Sequence, residues 1–315
     1  PEFSQVIGLF VAPKEMVSML ATCARRARSV ARRLLNNAWF LVRQDLGGPN
    51  SGISRLEARV DVLDKRVDGA MQKANVPAVL ALMFPDVYSE ELCIQLKAIS
   101  SRIDREIKGR YCGSTEDRLI QMMATIDAAR RFRNQAACHV DIGVLFGGSL
   151  LAKLEVLRIA GAAQRVIGID PLSGFYGKSV EPLTRLPINK STVLENLERF
   201  GYGSDSVDII LRASQDGEAV REIEGKAVAT LFIDGDHSYE GVKRDWELYS
   251  PFVAPGGYVI FDDYKMMFHF FTVTRFIMEL LHARPDGWHV VGALDTTFIL
   301  QRVSDQEEFL VRGEF

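Results

Sequence analysis

In the second half of the chain, apolar residues come in short continuous runs, each closed by glycine or an acidic residue: ACHVDIGVLFGGS, RVIGID, VDIILRAS, VATLFID and GGYVIFDD. Between the runs, over Leu150–Ala160, Thr192–Phe200, Asp216–Ile223 and Tyr239–Tyr249, the text is helical in period. Short solid runs suit strands buried on both faces, and spacing of three to four suits helices with one buried side. Strands that alternate with helices predict βαβ units and a parallel sheet. The chain ends differently. WHVVGAL and TTFILQRV are separated by little more than Asp295, which leaves room only for a hairpin, so the last strand enters antiparallel. Ala254–Gly257 (APGG) reads as a tight turn before the fifth strand.

The first half lacks such runs. From Val17 to about Arg43 the spacing is helical and rich in arginine, which fits a solvated basic face or a segment resting on an anionic membrane or a partner. LGGPNSG (Leu46–Gly52) breaks it, and Ile53, Leu56, Val60, Leu63 and Val67 then follow an a/d spacing. A seam that short makes either a dimerising helix or one core-facing helix. Helical text continues to about Arg133, with turn signals at Val76-Pro77, Phe84-Pro85 and Cys112-Gly113. The expected organisation is a helical N-terminal region over 4–133, an α/β domain over 134–304 and a tail over 305–315.

Composition narrows the class. The 315 residues are 47% hydrophobic, enough for a sizeable core. Lys and Arg total 38 against 41 Asp and Glu, so nothing in the balance argues for nucleic acid. Cys23, Cys93, Cys112 and Cys138 show no paired metal spacing and read as reduced thiols of a cytoplasmic protein. No run reaches the ~20 apolar residues of a spanning helix, and no stretch reads as a signal peptide. Pro1-Glu2-Phe3 reads as a cloning scar, which leaves open a natural N-terminus that is missing here.

The first strand-to-helix turn carries Asp141, Gly143, Gly147 and Gly148. Glycines there let a backbone approach a ligand and leave helix N-terminal amides available. The spacing is D-x-G-x-x-x-G, not the dinucleotide G-x-G-x-x-G. Asp170 closes the second strand, where an acid can accept from both ribose hydroxyls of a nucleoside. Asp141 disfavours a pyrophosphate at the turn and suits a ligand with an ammonium group.

On these residues, the stretch from about Cys138 to Val303 resembles the class I S-adenosylmethionine-dependent methyltransferases. The resemblance implies a Rossmann-like, seven-stranded, mostly parallel sheet with an antiparallel last strand. It also implies that Asp141, Gly143 and Gly147 line the methionine moiety and that Asp170 holds the ribose. Ser214 and Gln215, in RASQD after the third strand, would then lie in an adenine-contacting loop, with Asp234 at the cofactor's edge. Residues 4 to about 133 fall outside the resemblance.

Strands four and five are expected as neighbours, and their ends carry Asp234 and Asp262-Asp263. Three carboxylates converging without compensation repel one another. Mg²⁺ resolves this with oxygen ligands and keeps positions for water or substrate. The text IDGDHSYEG followed by GGYVIFDDY resembles a metal-dependent subgroup that includes macrolide and aminocoumarin sugar O-methyltransferases and cephalosporin-hydroxylase-like proteins. That resemblance implies Asp234, Asp262 and Asp263 as Mg²⁺ ligands, and an acceptor hydroxyl on a sugar or glycosylated small molecule. Members differ in the base, and both Asp236 and His237 are present. His237 suits the task better by its ordinary pKa of ~6.5. Tyr239 reads as packing or a hydroxyl anchor.

Two stretches can shape the acceptor site. One is the link PLSGFYGKSVEPLTRLPINK, a lid with Phe175 and Tyr176; the other is YKMMFHFFTVTRF, with Tyr264, Met267, Phe268, His269 and Phe271, which equally suits a core-facing helix stripe. The rival readings are a catechol-like or other diol O-methyltransferase, a non-methylating metal- and nucleoside-binding relative, and an assembly module built on the N-terminal part. A homo-oligomer is expected.

Overall fold

The computed structural model describes residues 76–264 and 271–303. The basic segment, the a/d run, Met267, Phe268, His269 and the tail expected over 305–315 lie outside the described residues.

Each apolar run forms a strand: β1 Ala137–Ile142, β2 Arg165–Ile169, β3 Val207–Ile210, β4 Ala227–Ile233, β5 Val253–Phe261, β6 Trp288–Leu294 and β7 Thr297–Arg302. Helices α1 Glu90–Glu106 and α2 Thr115–Arg131 precede the sheet. Helices α3 Gly148–Ala160, α4 Lys190–Arg199, α5 Gly217–Ile223, α6 Tyr239–Tyr249 and α7 Phe271–Ala283 follow in turn. The sheet order is β3-β2-β1-β4-β5-β7-β6, with the first five parallel and β7 antiparallel to both β5 and β6. The chain leaves β1 for β2 on one side and returns to β4 on the other. The crevice of such a sheet opens at that point of reversal.

Two expectations change. Strand β5 begins at Val253, so Ala254–Gly257 is an irregularity inside it rather than a turn ahead of it: Val253 pairs with Val228 and Tyr258 already pairs with Thr230. Gly256 takes φ +87°, and a Cβ on Gly257 would come within 2.9 Å of the Ala229 carbonyl, so the excursion needs glycine. The turn signal at Val76-Pro77 lies in helical residues 76–83, because proline is tolerated in the first turn of a helix.

Alternation along β1 sorts the two faces of the sheet. Val140 and Ile142 join Leu231, Ile233, Val259 and Phe261 in an apolar core beneath Val242 and Trp246 of α6 and Phe276 and Ile277 of α7. His139 and Asp141 point to the other face, which α2 and α3 cover, with α1 packed against both helices. Buried polar groups there must find partners. The His139 ring meets Thr230 Oγ1 at 2.8 Å and Gln164 Oε1 at 3.0 Å. Asp141 Oδ1 meets Lys153 Nζ at 2.5 Å. Helix α2 is buried from Asp117 through Ala129, which is why its sequence carries no clear amphipathic stripe. Its Ser114–Asp117 capping box doubles as a clamp on the β6–β7 turn. Asp117 accepts from Thr296 N at 2.8 Å, Thr296 Oγ1 at 3.0 Å and Thr297 Oγ1 at 3.1 Å.

Candidate active site

The sheet's hydrogen bonding continues one residue beyond the strand ends. Asp170 N donates to Ile210 O, Gly143 N to Ile169 O, Asp234 N to Ile142 O and Asp262 N to Ile233 O, at 2.9–3.2 Å. Gly143, Asp170, Asp234 and Asp262 are therefore fixed in a row along one edge. Gly143 takes φ +90°, a conformation that L side chains rarely adopt. Gly147, at φ +84°, caps α3 without a side-chain hydrogen bond, so no N-cap side chain takes up that helix's first amides.

Asp170 supports the glycine turn directly. Its Oδ2 accepts from Val144 N at 2.8 Å and Leu145 N at 3.3 Å, and its Oδ1 from Leu172 N at 2.7 Å. A carboxylate has about four acceptor sites, so room remains for a ligand hydroxyl. Asp141 lies fully buried beneath the turn, and the ammonium it meets in this structure is that of Lys153. Ser214 is tied inward: its hydroxyl donates to Asp245 Oδ1 at 2.6 Å, and its carbonyl accepts from Tyr249 Oη at 2.6 Å. Gln215 is exposed in the neighbouring turn.

At the tips of β4 and β5 the acids do converge. His237 Nε2 lies 3.2 Å from Asp234 Oδ1, and its Nδ1 lies 2.8 Å from Asp263 Oδ2. One ligand atom from each of Asp234, His237 and Asp263 falls within 4.8 Å of the others, a spacing that one metal ion can bridge. Asp263 takes φ +57°, which turns its carboxylate back toward the cluster; aspartate tolerates this region better than most residues. Asp262 adjoins them. Burial, then the charges of Asp234 and Asp263, push its carboxyl well above the usual range, and Oδ1 has no hydrogen-bond partner among the described residues. Burial also raises Asp234, against the opposing pull of His237. Burial alone would lower His237, but the hydrogen bonds and charges of Asp234 and Asp263 outweigh it and push the imidazole up to about 10. An imidazolium thus supplies positive charge among carboxylates, as a cation would.

Asp236 points elsewhere. Its carboxylate accepts from Ser238 N at 2.9 Å and Ser238 Oγ at 3.0 Å, and Ser238 caps α6. The Tyr239 hydroxyl donates to Glu279 at 2.5 Å, and its ring lies under Arg275 and edge-on to Phe276, an anchoring role between α6 and α7. From the link after β2, the Tyr176 hydroxyl reaches His237 Nδ1 at 3.2 Å and Gly235 O at 3.3 Å.

Residues 140–264 match the family model described as a methyltransferase domain. This segment is a methyltransferase domain. Its row of strand-tip residues, from Gly143 to Asp263, lies entirely within the matched stretch. The chain is 33% identical over 140 residues to the uncharacterized protein R132 of Acanthamoeba polyphaga mimivirus, covering 44% of this chain and 56% of that protein. It is 38% identical over 151 residues to the uncharacterized protein y4gI of Sinorhizobium fredii (strain NBRC 101917 / NGR234), covering 46% of this chain and 15% of that one. The chain thus spans about half the length of the first relative and a small part of the second. In fold, the chain resembles the O-methyltransferase NovP, with TM-score 0.51 at 19% identity over 68% of this chain and 98% of that one. No helix among the described residues is long and apolar enough to cross a membrane.

The segment Arg110–Cys112, between α1 and α2, also borders this edge, since Asp234 and Asp262 both act on the Cys112 thiol and help raise it, behind burial. Sequence reasoning passed over it because GRYCGS reads only as a turn. Its aromatic residue has no periodic signal, and the contact it makes is long-range.

Proposed function

We propose that this chain is a Mg²⁺-dependent O-methyltransferase that moves a methyl group from S-adenosylmethionine to a hydroxyl of a sugar or glycosylated small molecule. The observation that carries the reading is the convergence of Asp234, Asp262, Asp263 and His237 beside the glycine turn.

The donor set fits a hard divalent cation. It is rich in carboxylate, and one buried oxygen of Asp262 lacks a partner among the described residues. Asp234, Asp262 and Asp263 would hold the ion, whose chemistry is to lower the pKa of a nearby hydroxyl. The row from Asp170 to Gly143 fits a nucleoside carrying an amino-acid end: carboxylate acceptor sites at one end, uncapped helix amides at the other. S-adenosylmethionine supplies an electrophilic methyl group.

The protein's own work is placement and proton handling. His237 is better placed than Asp236 to take the acceptor's proton, because the Asp236 carboxylate accepts from Ser238 while His237 meets Asp234 and Asp263. In the ion-free chain the imidazole is held protonated, so it serves as a base only once its two carboxylates are drawn away from it. Tyr176 orients the same ring and closes the site from the lid side. The sugar acceptor rests on likeness to sugar O-methyltransferases in the strand-tip motif.

The test is methyl transfer from labelled S-adenosylmethionine to a panel of sugars, glycosylated metabolites and diols, with Mg²⁺ and with excess chelator. Transfer that requires Mg²⁺ supports the reading. Unchanged transfer in chelator removes the metal, and no transfer to any hydroxyl removes the O-methyltransferase.

A further inference from the structure

Asp141 and Lys153 form an ion pair in the interior, next to the glycine turn. Lys153 Nζ lies 2.5 Å from Asp141 Oδ1, with 4% of the lysine side chain exposed and 0% of the aspartate's. Asp141 is the last residue but one of β1, and Lys153 reaches it from α3. Taking two charges out of water is costly, so such a pair is poor support for the fold. It has a consequence for the ligand instead, because Asp141 is the acid whose position at the turn suits an ammonium.

The surroundings close Asp141 off from the crevice. In the sheet it pairs with Gly168 of β2 on one side and Phe232 of β4 on the other. The space over Gly168 is filled by Val144 of the turn and Leu150 of α3: a Cβ on that glycine would fall 2.7 Å from Val144 Cγ2 and 3.2 Å from Leu150 Cδ1. On the β4 side the Phe232 ring lies 5.2 Å from Lys153 Nζ. Both carboxylate oxygens are buried, and Oδ2 has no hydrogen-bond partner among the described residues. A ligand's ammonium would have to stand about 3 Å from one of these oxygens, where a water could stand equally well. With none of the side chain exposed, no such position is open. The cation already in place is the chain's own.

Other acceptors along this edge are engaged too. Asp170 takes the amides of Val144, Leu145 and Leu172, and Asp234 and Asp263 meet His237. Of the turn's carbonyls, Ile142 O accepts from Asp234 N, Val144 O from Gly147 N and Phe146 O from the Asn196 amide. A carboxylate is the strong partner for an ammonium, and among the described residues the one at this turn is taken.

We propose that Lys153 is a specificity-determining residue of the donor site. It meets the need of Asp141 for a cation, so the site takes a carboxylate-ended sulfonium or thioether nucleoside and does not read the ammonium at that end. The inference rests on the proposed function above, and it departs from the role that the resemblance implies for Asp141, which becomes part of the scaffold behind the turn.

The experiment is calorimetry on the full chain with S-adenosylhomocysteine and two analogues: 5′-S-(3-carboxypropyl)-5′-thioadenosine, which lacks only the amino group, and 5′-S-(3-aminopropyl)-5′-thioadenosine, which lacks only the carboxylate. The carboxypropyl compound should bind within about threefold of S-adenosylhomocysteine, and the aminopropyl compound at least about tenfold more weakly, the size of one lost hydrogen bond to a charged group. Weakening of the carboxypropyl compound by about tenfold or more overturns the inference, because the ammonium is then read. Equal binding of all three also overturns it, because the carboxylate is then not read. Melting of the ligand-free proteins supplies the second readout. Lys153→Met alone should melt lower or fail to fold, since it leaves Asp141 buried without a cation, and adding Asp141→Asn should recover most of the loss. No recovery shows that Lys153 does not serve Asp141 and overturns the inference. Failure of the unaltered chain to bind S-adenosylmethionine and S-adenosylhomocysteine alike overturns the proposed function, and this inference with it.

Discussion

Gly143 passes so close to Asp234 that a Cβ on the glycine would stand 2.1 Å from the aspartate's carbonyl oxygen. The tip of β1 and the tip of β4 are in backbone contact, and this contact brings the ligand turn up against the acidic cluster. Gly143→Ala meets both a clash with rigid backbone and a strained φ of +90°. The expected loss is more than about 2 kcal/mol of stability, read from urea unfolding, with methyl transfer lost at temperatures where the variant is still folded.

Asp263 contributes charge without supporting the sheet. Asp263→Asn keeps its shape and its tolerance of positive φ while removing a carboxylate from the cluster. Transfer should fall at least about a hundredfold, and affinity for S-adenosylmethionine should change by less than about twofold. Steady-state kinetics with a parallel binding titration checks both. An equal loss in the two would place Asp263 in the donor site instead.

His139 sets an acid limit on stability. Burial holds its imidazole down at about 4, with a smaller push from Lys153, whereas the unfolded chain titrates near the ordinary ~6.5. The folded pKa is the lower one, so the unfolded state binds the extra proton first. The contribution is complete above about pH 6.5 and is lost as pH falls toward 4, about 3 kcal/mol in total. His139→Gln should flatten that part of the curve. Urea midpoints at pH 7 and pH 4.5 for both proteins measure the difference.

Asp117 joins helix α2 to the far hairpin. It accepts from Ser114 N at 3.0 Å and Ser114 Oγ at 2.8 Å besides its bonds to Thr296 and Thr297. Asp117→Ala strands several of these donors in a buried setting, at a cost of about 3–5 kcal/mol in thermal or urea unfolding.

The sheet was legible because its strands are short apolar runs with glycine or acid at the ends, and the βαβ grammar orders them without knowledge of distant contacts. The gathering of acids at the tips of β4 and β5 was legible for the same reason, since strand ends can be counted from the sequence. The parts that escaped depend on packing between distant segments. The partner of Asp141 was not legible, because nothing local reveals Lys153 beneath it. The sequence favoured His237 over Asp236 by its ordinary pKa alone, and nothing local revealed that the Asp236 carboxylate accepts from Ser238. Strand β5 started early because an irregular stretch of glycine can stay in a sheet as well as end one. Tyr111 carried no signal at all, as its packing against Gly148 joins segments nearly forty residues apart.

The continued hydrogen bonding past the strand ends also divides this molecule into what can drift and what cannot. Gly143, Asp170, Asp234 and Asp262 hang from main-chain bonds of the scaffold, so none of them can be shifted without dragging a strand. Among the described residues, the stretch carrying Phe175 and Tyr176 has no such tether to the sheet and touches the cluster through the Tyr176 side chain. Under the proposed function, a change of acceptor would fall to that stretch: the strand tips can be inherited unchanged while the residues around Phe175 and Tyr176 are rewritten.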